Sequence, residues 1–182
     1  PFSLHQARHR ADGWRLEHCE WELPEASFIE VPGEEPMRIK GTIDRIDRNL
    51  HTGAWMIVDY KTSESGKRPE ATHQASGARR RDSGRTWDDL QLPLYRHLAG
   101  QHGYEGEVKL AYMNLPKKPE DVAIHVARWT HFDLEEAIDV ARGIVRDVRA
   151  GRFEMADDYP GHYQDDFSNI CQTGVFGGGD EE

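Results

Sequence analysis

Hydropathy patterning predicts an α/β fold for this 182-residue chain, with a mixed central β-sheet flanked by helices. Three observations carry that expectation. Trp14–Leu23 alternates with a period of two, Ala54–Val58 is an almost unbroken apolar run, and Asp133–Gly151 repeats its apolar residues at helical spacing. In chain order the segments read helix, three or four strands, helix, two strands, helix, which is the pattern of a sheet with helices packed on it.

Each element has a local reason. Ser3 to Ala11 suits the end of a helix that Gly13 stops, and Trp14, Leu16 and His18 then alternate against Arg15, Glu17 and Cys19. Pro24 and the stretch Val31–Pro36 punctuate a loop around a short strand at Ser27–Val31. "MRIKGTIDRID" reads as one strand, and "GAWMIVDYKT" as another, central in the sheet because its apolar run suits burial on both faces. Trp87–Gly103 places Leu90, Leu94 and Leu98 four apart behind Asp88 and Asp89, a helix that Pro93 would kink. "GEVKLAYMNLP" and "DVAIHVARWT" are two further strands separated by the turn-like "KKPED". The clearest helix is Asp133–Gly151, with Leu134, Ala137, Ile138, Ala141, Ile144, Val145 and Val148 on one stripe.

Composition sets outer limits. One domain over residues 1–175 is expected, with a flexible tail at 176–182, and the missing initiator Met suggests a piece of a longer protein. No run approaches the length of a membrane span. Cys19 and Cys171 are the only cysteines, so a disulfide framework is excluded and a cytoplasmic location is expected. The net charge of -10 argues against bulk coating of nucleic acid. Residues 62–86 nevertheless read as a mobile basic loop, because Lys67, Arg68, Arg79, Arg80, Arg81 and Arg85 face only Glu70 and Asp82 between Gly66 and Arg85. A polyanion could touch there, or the loop could simply be solvated.

Chemistry concentrates in "GTIDRIDRNLHTGAWMIVDYKTS". A hairpin turn centred between His51 and Thr52, with Gly53 free to take positive φ, sets Asp44 opposite Asp59. Directly opposed residues share a face, and Lys61 shares it with Asp59 through the two-residue repeat. Two facing carboxylates destabilise a sheet pair unless a cation lies between them. Mg²⁺ fits, with Asp44, Asp59 and the Tyr60 carbonyl as oxygen donors, leaving Lys61 to orient the attacking water or neutralise charge on phosphate. The bland alternative is an Asp44–Lys61 pair with Asp59 solvated at a strand end. Asp47 would point to the opposite face and pair with Arg45 or Arg48.

"GTIDRID", "IVDYKTS" and "DLQLPLY", in this order over Gly41–Tyr95, resemble the RecB/AddB branch of the PD-(D/E)xK nuclease superfamily, and the flanking elements from Trp14 to Cys171 fit its layout. The resemblance implies a restriction-endonuclease-like core and DNA exonuclease activity dependent on Mg²⁺ or Mn²⁺. It implies a place in repair or recombination, with a helicase region or subunit as partner. It matches Asp44 to the G-x-x-D acid, Asp59 and Lys61 to the D-x-K pair, and Gln91 and Tyr95 to the Q-x-x-x-Y motif. These last two, four apart on a helix, could reach phosphate or a base edge, or brace Lys61; Arg79, Arg80, Arg81 and Arg85 would add backbone contacts.

Two departures stand out. Many members carry an upstream histidine as a metal ligand; His5 and His9 lack the surrounding motif and are expected to face solvent, while Glu17, Glu20 and Glu22 have no assigned role. Iron–sulfur members end in a cysteine pattern that "HYQDDFSNIC" does not keep, since His162 and Asp165 stand where cysteines would be. No iron–sulfur cluster is expected. A Zn²⁺ site of His162, Asp165 and Cys171 has thin support, and Cys171 reads as a core thiol.

Overall fold

Strand β5 (Trp55–Lys61), the apolar run, lies at the centre of a five-stranded sheet in the order β1-β4-β5-β6-β7. The computed structural model describes residues 2–62, 66–74 and 86–152. The other strands are β1 (Trp14–Glu22), β4 (Thr42–Asn49), β6 (Val108–Asn114) and β7 (Ala123–Val126), while β2 (Phe28–Ile29) and β3 (Met37–Arg38) pair separately. The helices are α1 (Phe2–Ala11), α2 (Pro69–His73), α3 (Gln91–Gly100) and α4 (His131–Arg149), with a 3-10 turn at Pro119–Asp121. Only β5 and β6 run parallel, so the sheet is mixed and the chain between them must cross over one face. Helices α2 and α3 lie on that crossover.

The turn after β4 takes the expected register. Arg45–Val58, Ile46–Ile57, Asp47–Met56 and Arg48–Trp55 are the pairs that a centre between His51 and Thr52 requires, and Gly53 adopts φ 76°. At Gly13, φ is 90°, a left-handed conformation that favours glycine, and the His51 ring lies against the open side of this α1–β1 corner.

Ile46, Ile57, Leu110 and Tyr112 on one sheet face pack with Leu92 and Ala99 of α3 and Leu134 of α4. Met56, Val58, Ala111 and Met113 line the other face with Trp14 and Ala54. A third cluster joins Ala141 and Val145 of α4 to Ile29 and Val31. Each fully buried aliphatic side chain contributes about 1.5–3 kcal/mol. Residues Pro1–Arg146 form one compact unit and Asp147–Glu182 a second; in the latter, the described Arg152 donates to Asp147.

Several local expectations change. "MRIKGTIDRID" divides into β3 and β4, because Met37–Arg38 pairs with β2 instead of joining the main sheet. A register shift between Leu16 and His18 breaks the alternation of β1 and leaves Leu16 57% exposed. Helix α3 starts at Gln91, so Pro93 falls in the first turn, where a missing N–H costs nothing and no kink is needed. Within the stretch read as a basic loop, Pro69–His73 is helical, Pro69 and His73 are buried, and Gln74 bridges to Trp87. Ile144 on the α4 stripe is half exposed. No helix among the described residues is long and apolar enough to cross a membrane.

Candidate active site

Asp44 sits where β4 is released from both neighbours. Pairing with β1 passes from Cys19–Arg45 to Trp21–Ile43 around Glu20, whose φ of 51° is left-handed, and pairing with β5 stops at Arg45–Val58. The Asn49 N–H to Ala54 carbonyl bond of 2.8 Å sets the alternation of the β4–β5 ladder, which aims the Tyr60 N–H at the Ile43 carbonyl. It donates instead to Asp44 Oδ2 at 2.9 Å. One carboxylate thus replaces the ladder bond and is fixed beside the D-x-K stretch.

Asp59 is 2% exposed. The Lys61 ammonium lies 2.9 Å from its Oδ2, an ion pair that leaves this buried oxygen short of a full set of hydrogen-bond partners. Burial pushes the Asp59 carboxyl above the usual carboxylate range; Lys61 opposes this and nearby Asp44 adds to it. A buried carboxylate oxygen whose close partner is a single ammonium is an incomplete environment.

Lys61 Nζ also donates to Gln91 Oε1 at 3.0 Å, and Gln91 Nε2 donates to the Tyr95 hydroxyl at 3.1 Å. The i, i+4 spacing on α3 makes this chain of bonds possible. Asp89 Oδ1 accepts the Gln91 N–H at 2.7 Å and so holds the start of the helix. Burial raises the Tyr95 phenol, keeping it protonated. Asp44, Asp59, Tyr60, Lys61, Gln91 and Tyr95 are therefore brought to one end of β5. The Asp44–Lys61 pairing considered as the bland alternative is replaced by Asp59–Lys61.

The opposite face holds a second buried acid. Asp47 is fully buried, Arg45 Nε reaches both of its oxygens at 2.8 and 2.9 Å, and Arg45 Nη2 and His9 Nε2 reach Oδ2 at 2.8 and 2.7 Å. His9, expected at the surface, is 8% exposed and stacks on Trp14 with ring centroids 5.3 Å apart. Tight contact between α1 and β1 around Gly13 is what buries it. Arg45 Nη1 extends to Gln6 Oε1 at 3.0 Å and the Tyr60 hydroxyl at 3.3 Å. Against the cost of burial, Asp47 and Tyr60 hold the Arg45 guanidinium above its ordinary range.

Sequence reasoning also missed His73 and Tyr112. The Lys61 ammonium lies 5.0 Å from the Tyr112 ring centre, and the Tyr112 hydroxyl bonds to His73. Pro69 followed by Glu70 was the available sign of a helix start there. Arg79, Arg80, Arg81, Arg85, His162, Asp165 and Cys171 lie outside the described residues. A cavity of about 670 Å³ lined by His9, Trp14, Met56, Lys109, Val126 and Leu134 includes none of Asp44, Asp59, Lys61, Gln91 and Tyr95 in its lining.

No group of three His, Cys, Asp or Glu side chains able to hold a metal occurs among the described residues. Two carboxylates and a main-chain carbonyl are nonetheless a sufficient protein share for an ion that keeps several waters, and the orphaned buried Oδ2 of Asp59 is an oxygen that such an ion would satisfy. The donor set fits.

The mixed five-stranded sheet with flanking helices is a restriction-endonuclease-like architecture. The chain belongs to the PD-(D/E)XK nuclease superfamily, whose sequence profile matches residues 2–172. Members of that superfamily are hydrolases that typically use divalent metals. Comparison with curated proteins returned no match. Among solved structures, "Crystal structure of SSO0001" is similar with a TM-score of 0.46 and 20% identity, over 93% of this chain and 65% of that one. The chain thus spans less than two thirds of that structure.

Proposed function

We propose that this chain is a RecB/AddB-type deoxyribonuclease domain, an exonuclease module that hydrolyses DNA phosphodiester bonds in repair or recombination with Mg²⁺ or Mn²⁺. The observation that supports it most is the junction of Asp44 and Tyr60 through a 2.9 Å bond beside the Asp59–Lys61 pair. Asp44, Asp59 and the Tyr60 carbonyl would hold the ion. When bound, it supplies Lewis-acid polarisation of the phosphate and a more acidic water.

The chain's own groups do the rest. Lys61, held by Asp59 and Gln91, keeps an ammonium where negative charge grows on the phosphate. Gln91 braces Lys61, and Tyr95 orients Gln91 and offers a phenol to phosphate or base. Arg79, Arg80, Arg81 and Arg85 supply positive charge for the DNA backbone. The domain works within a longer cytoplasmic protein or complex that includes a helicase.

A second reading is a nuclease-fold module that binds DNA ends without cutting, favoured by the want of a third acidic or histidine ligand among the described residues. Incubation with end-labelled linear and closed circular DNA plus Mn²⁺ separates them. Release of labelled mononucleotides from linear DNA only, lost in Asp59→Ala, supports the exonuclease. Binding of ends with no Mn²⁺-dependent product supports the second reading.

A further inference from the structure

We propose that His73 and Tyr112 are positioning residues for Lys61, closing a circuit of contacts that holds the ammonium in place from below. The inference rests on Lys61 being the ammonium that acts on phosphate.

The circuit can be followed atom by atom. Tyr112 is the β6 partner of Asp59 in the parallel ladder, so its ring lies on the same face as Asp59 and Lys61. Lys61 Nζ is 5.0 Å from that ring's centre, within reach of a cation–π attraction. The Tyr112 hydroxyl is 2.5 Å from His73 Nε2, and His73 Nδ1 is 2.8 Å from the Asp89 carbonyl oxygen. A carbonyl can only accept, so the proton sits on Nδ1, Nε2 accepts, and Tyr112 donates. Asp89 in turn accepts the Gln91 N–H at 2.7 Å, and Gln91 Oε1 receives Lys61 Nζ at 3.0 Å. Lys61, Gln91, Asp89, His73 and Tyr112 form one ring.

The alternative is that His73 only fills space. A fully buried side chain on a five-residue helix would do that as well with leucine, and without polar atoms to satisfy. Both ring nitrogens are instead committed, one to each arm of the circuit. Burial pushes the His73 imidazole below its ordinary range despite Asp89, so it stays neutral and adds no second cation near Lys61. Burial, with Asp89 and Asp59 nearby, pushes the Tyr112 phenol far up, so its O–H remains a donor. The segment joining the D-x-K strand to the Q-x-x-x-Y helix thereby carries a support for the lysine as well as basic charge.

The test measures Lys61 directly. In protein labelled with ¹³C-lysine, the Lys61 ε-methylene protons, assigned with Lys61→Arg, should be shifted upfield by the Tyr112 ring current. Tyr112→Leu should abolish the shift. Tyr112→Phe, which keeps the ring but not its hydroxyl, should weaken it and lower kcat on DNA about tenfold to a hundredfold with KM changed less than about twofold. His73→Gln, which offers an acceptor near the Nε2 position, should recover more of the shift than His73→Leu. Tyr112→Phe with wild-type Lys61 resonances and wild-type kcat overturns the proposal, whatever its melting temperature. Should the wild-type protein cut no DNA, the nuclease reading fails alone, and the Lys61 resonances in Tyr112→Phe and His73→Leu still decide the positioning role.

Discussion

Asp47 and Asp59 stand on adjacent strands, both almost wholly buried, on opposite faces of one sheet. Asp47 has bonds to both oxygens from Arg45 and a further one from His9. Asp59 has a single ammonium partner, a buried oxygen short of further hydrogen bonds and a second carboxylate nearby. A buried charge whose partners are complete is part of the framework, and one whose partners are incomplete is poised for something that is added. Two residues of the same type, on adjacent strands and similarly buried, therefore yield opposite expectations on substitution.

The sharpest break of this contrast is in activity. Asp59→Ala should lower DNA cleavage by at least about 10³-fold while melting no lower than wild type, and an active Asp59→Ala protein removes the proposed site. Next comes stability: Asp47→Ala strands Arg45 as an uncompensated buried charge, so unfolding in urea should show a loss of about 3–5 kcal/mol. Equal destabilisation of the two alanine variants would erase the distinction drawn between them.

Metal sharpens the comparison further. At a concentration 100 times its Kd, Mn²⁺ should stabilise the wild-type fold by about 2.7 kcal/mol, seen as a rise in Tm that Asp59→Ala lacks and Asp47→Asn, if folded, keeps. Smaller again, Gln91→Ala should cost about 1.5–3 kcal/mol in transition-state stabilisation by freeing Lys61, read as a lower kcat with little change in Tm.

The smallest effect is the pH dependence of stability without metal. The folded Asp59 carboxyl is raised above its ordinary value, so between that value and the raised one the folded state binds more protons than the unfolded state. Stability from this group is therefore lost as pH rises through that window, and the cost persists to neutrality. Thermal melts should show a downward slope above about pH 4 that Asp59→Asn flattens, with a higher Tm at neutral pH. A wild-type slope identical to that of Asp59→Asn would show Asp59 to be as well compensated as Asp47.

Much of the framework was legible in the chain. The apolar run of β5, the Gly53 turn and the alternation across it define a register, which the structure keeps from Arg48–Trp55 to Arg45–Val58, one pair short of Asp44 and Asp59. The pairing of Asp47 with Arg45 follows from their shared parity on β4. His9 was not legible, because its burial depends on how closely α1 meets β1, and no periodicity in α1 marks that side. His73 was hidden for a similar reason: a single helical turn inside a Ser-, Gly- and Arg-rich stretch has no repeat to detect. The start of α3 was displaced by four residues, since the Asp89 bond to the Gln91 N–H, not the apolar stripe, decides where the helix begins.

The sequence by itself determined strand order along the chain, the turn, and which acids share a face, because these depend on short-range periodicity and on the geometry of one hairpin. Only the tertiary structure decided which buried acid is saturated and which is left wanting. Hydrogen-bond completeness depends on groups that arrive from distant elements, such as His9 on α1 for Asp47 and His73 on α2 behind Lys61, and local sequence carries no record of those arrivals.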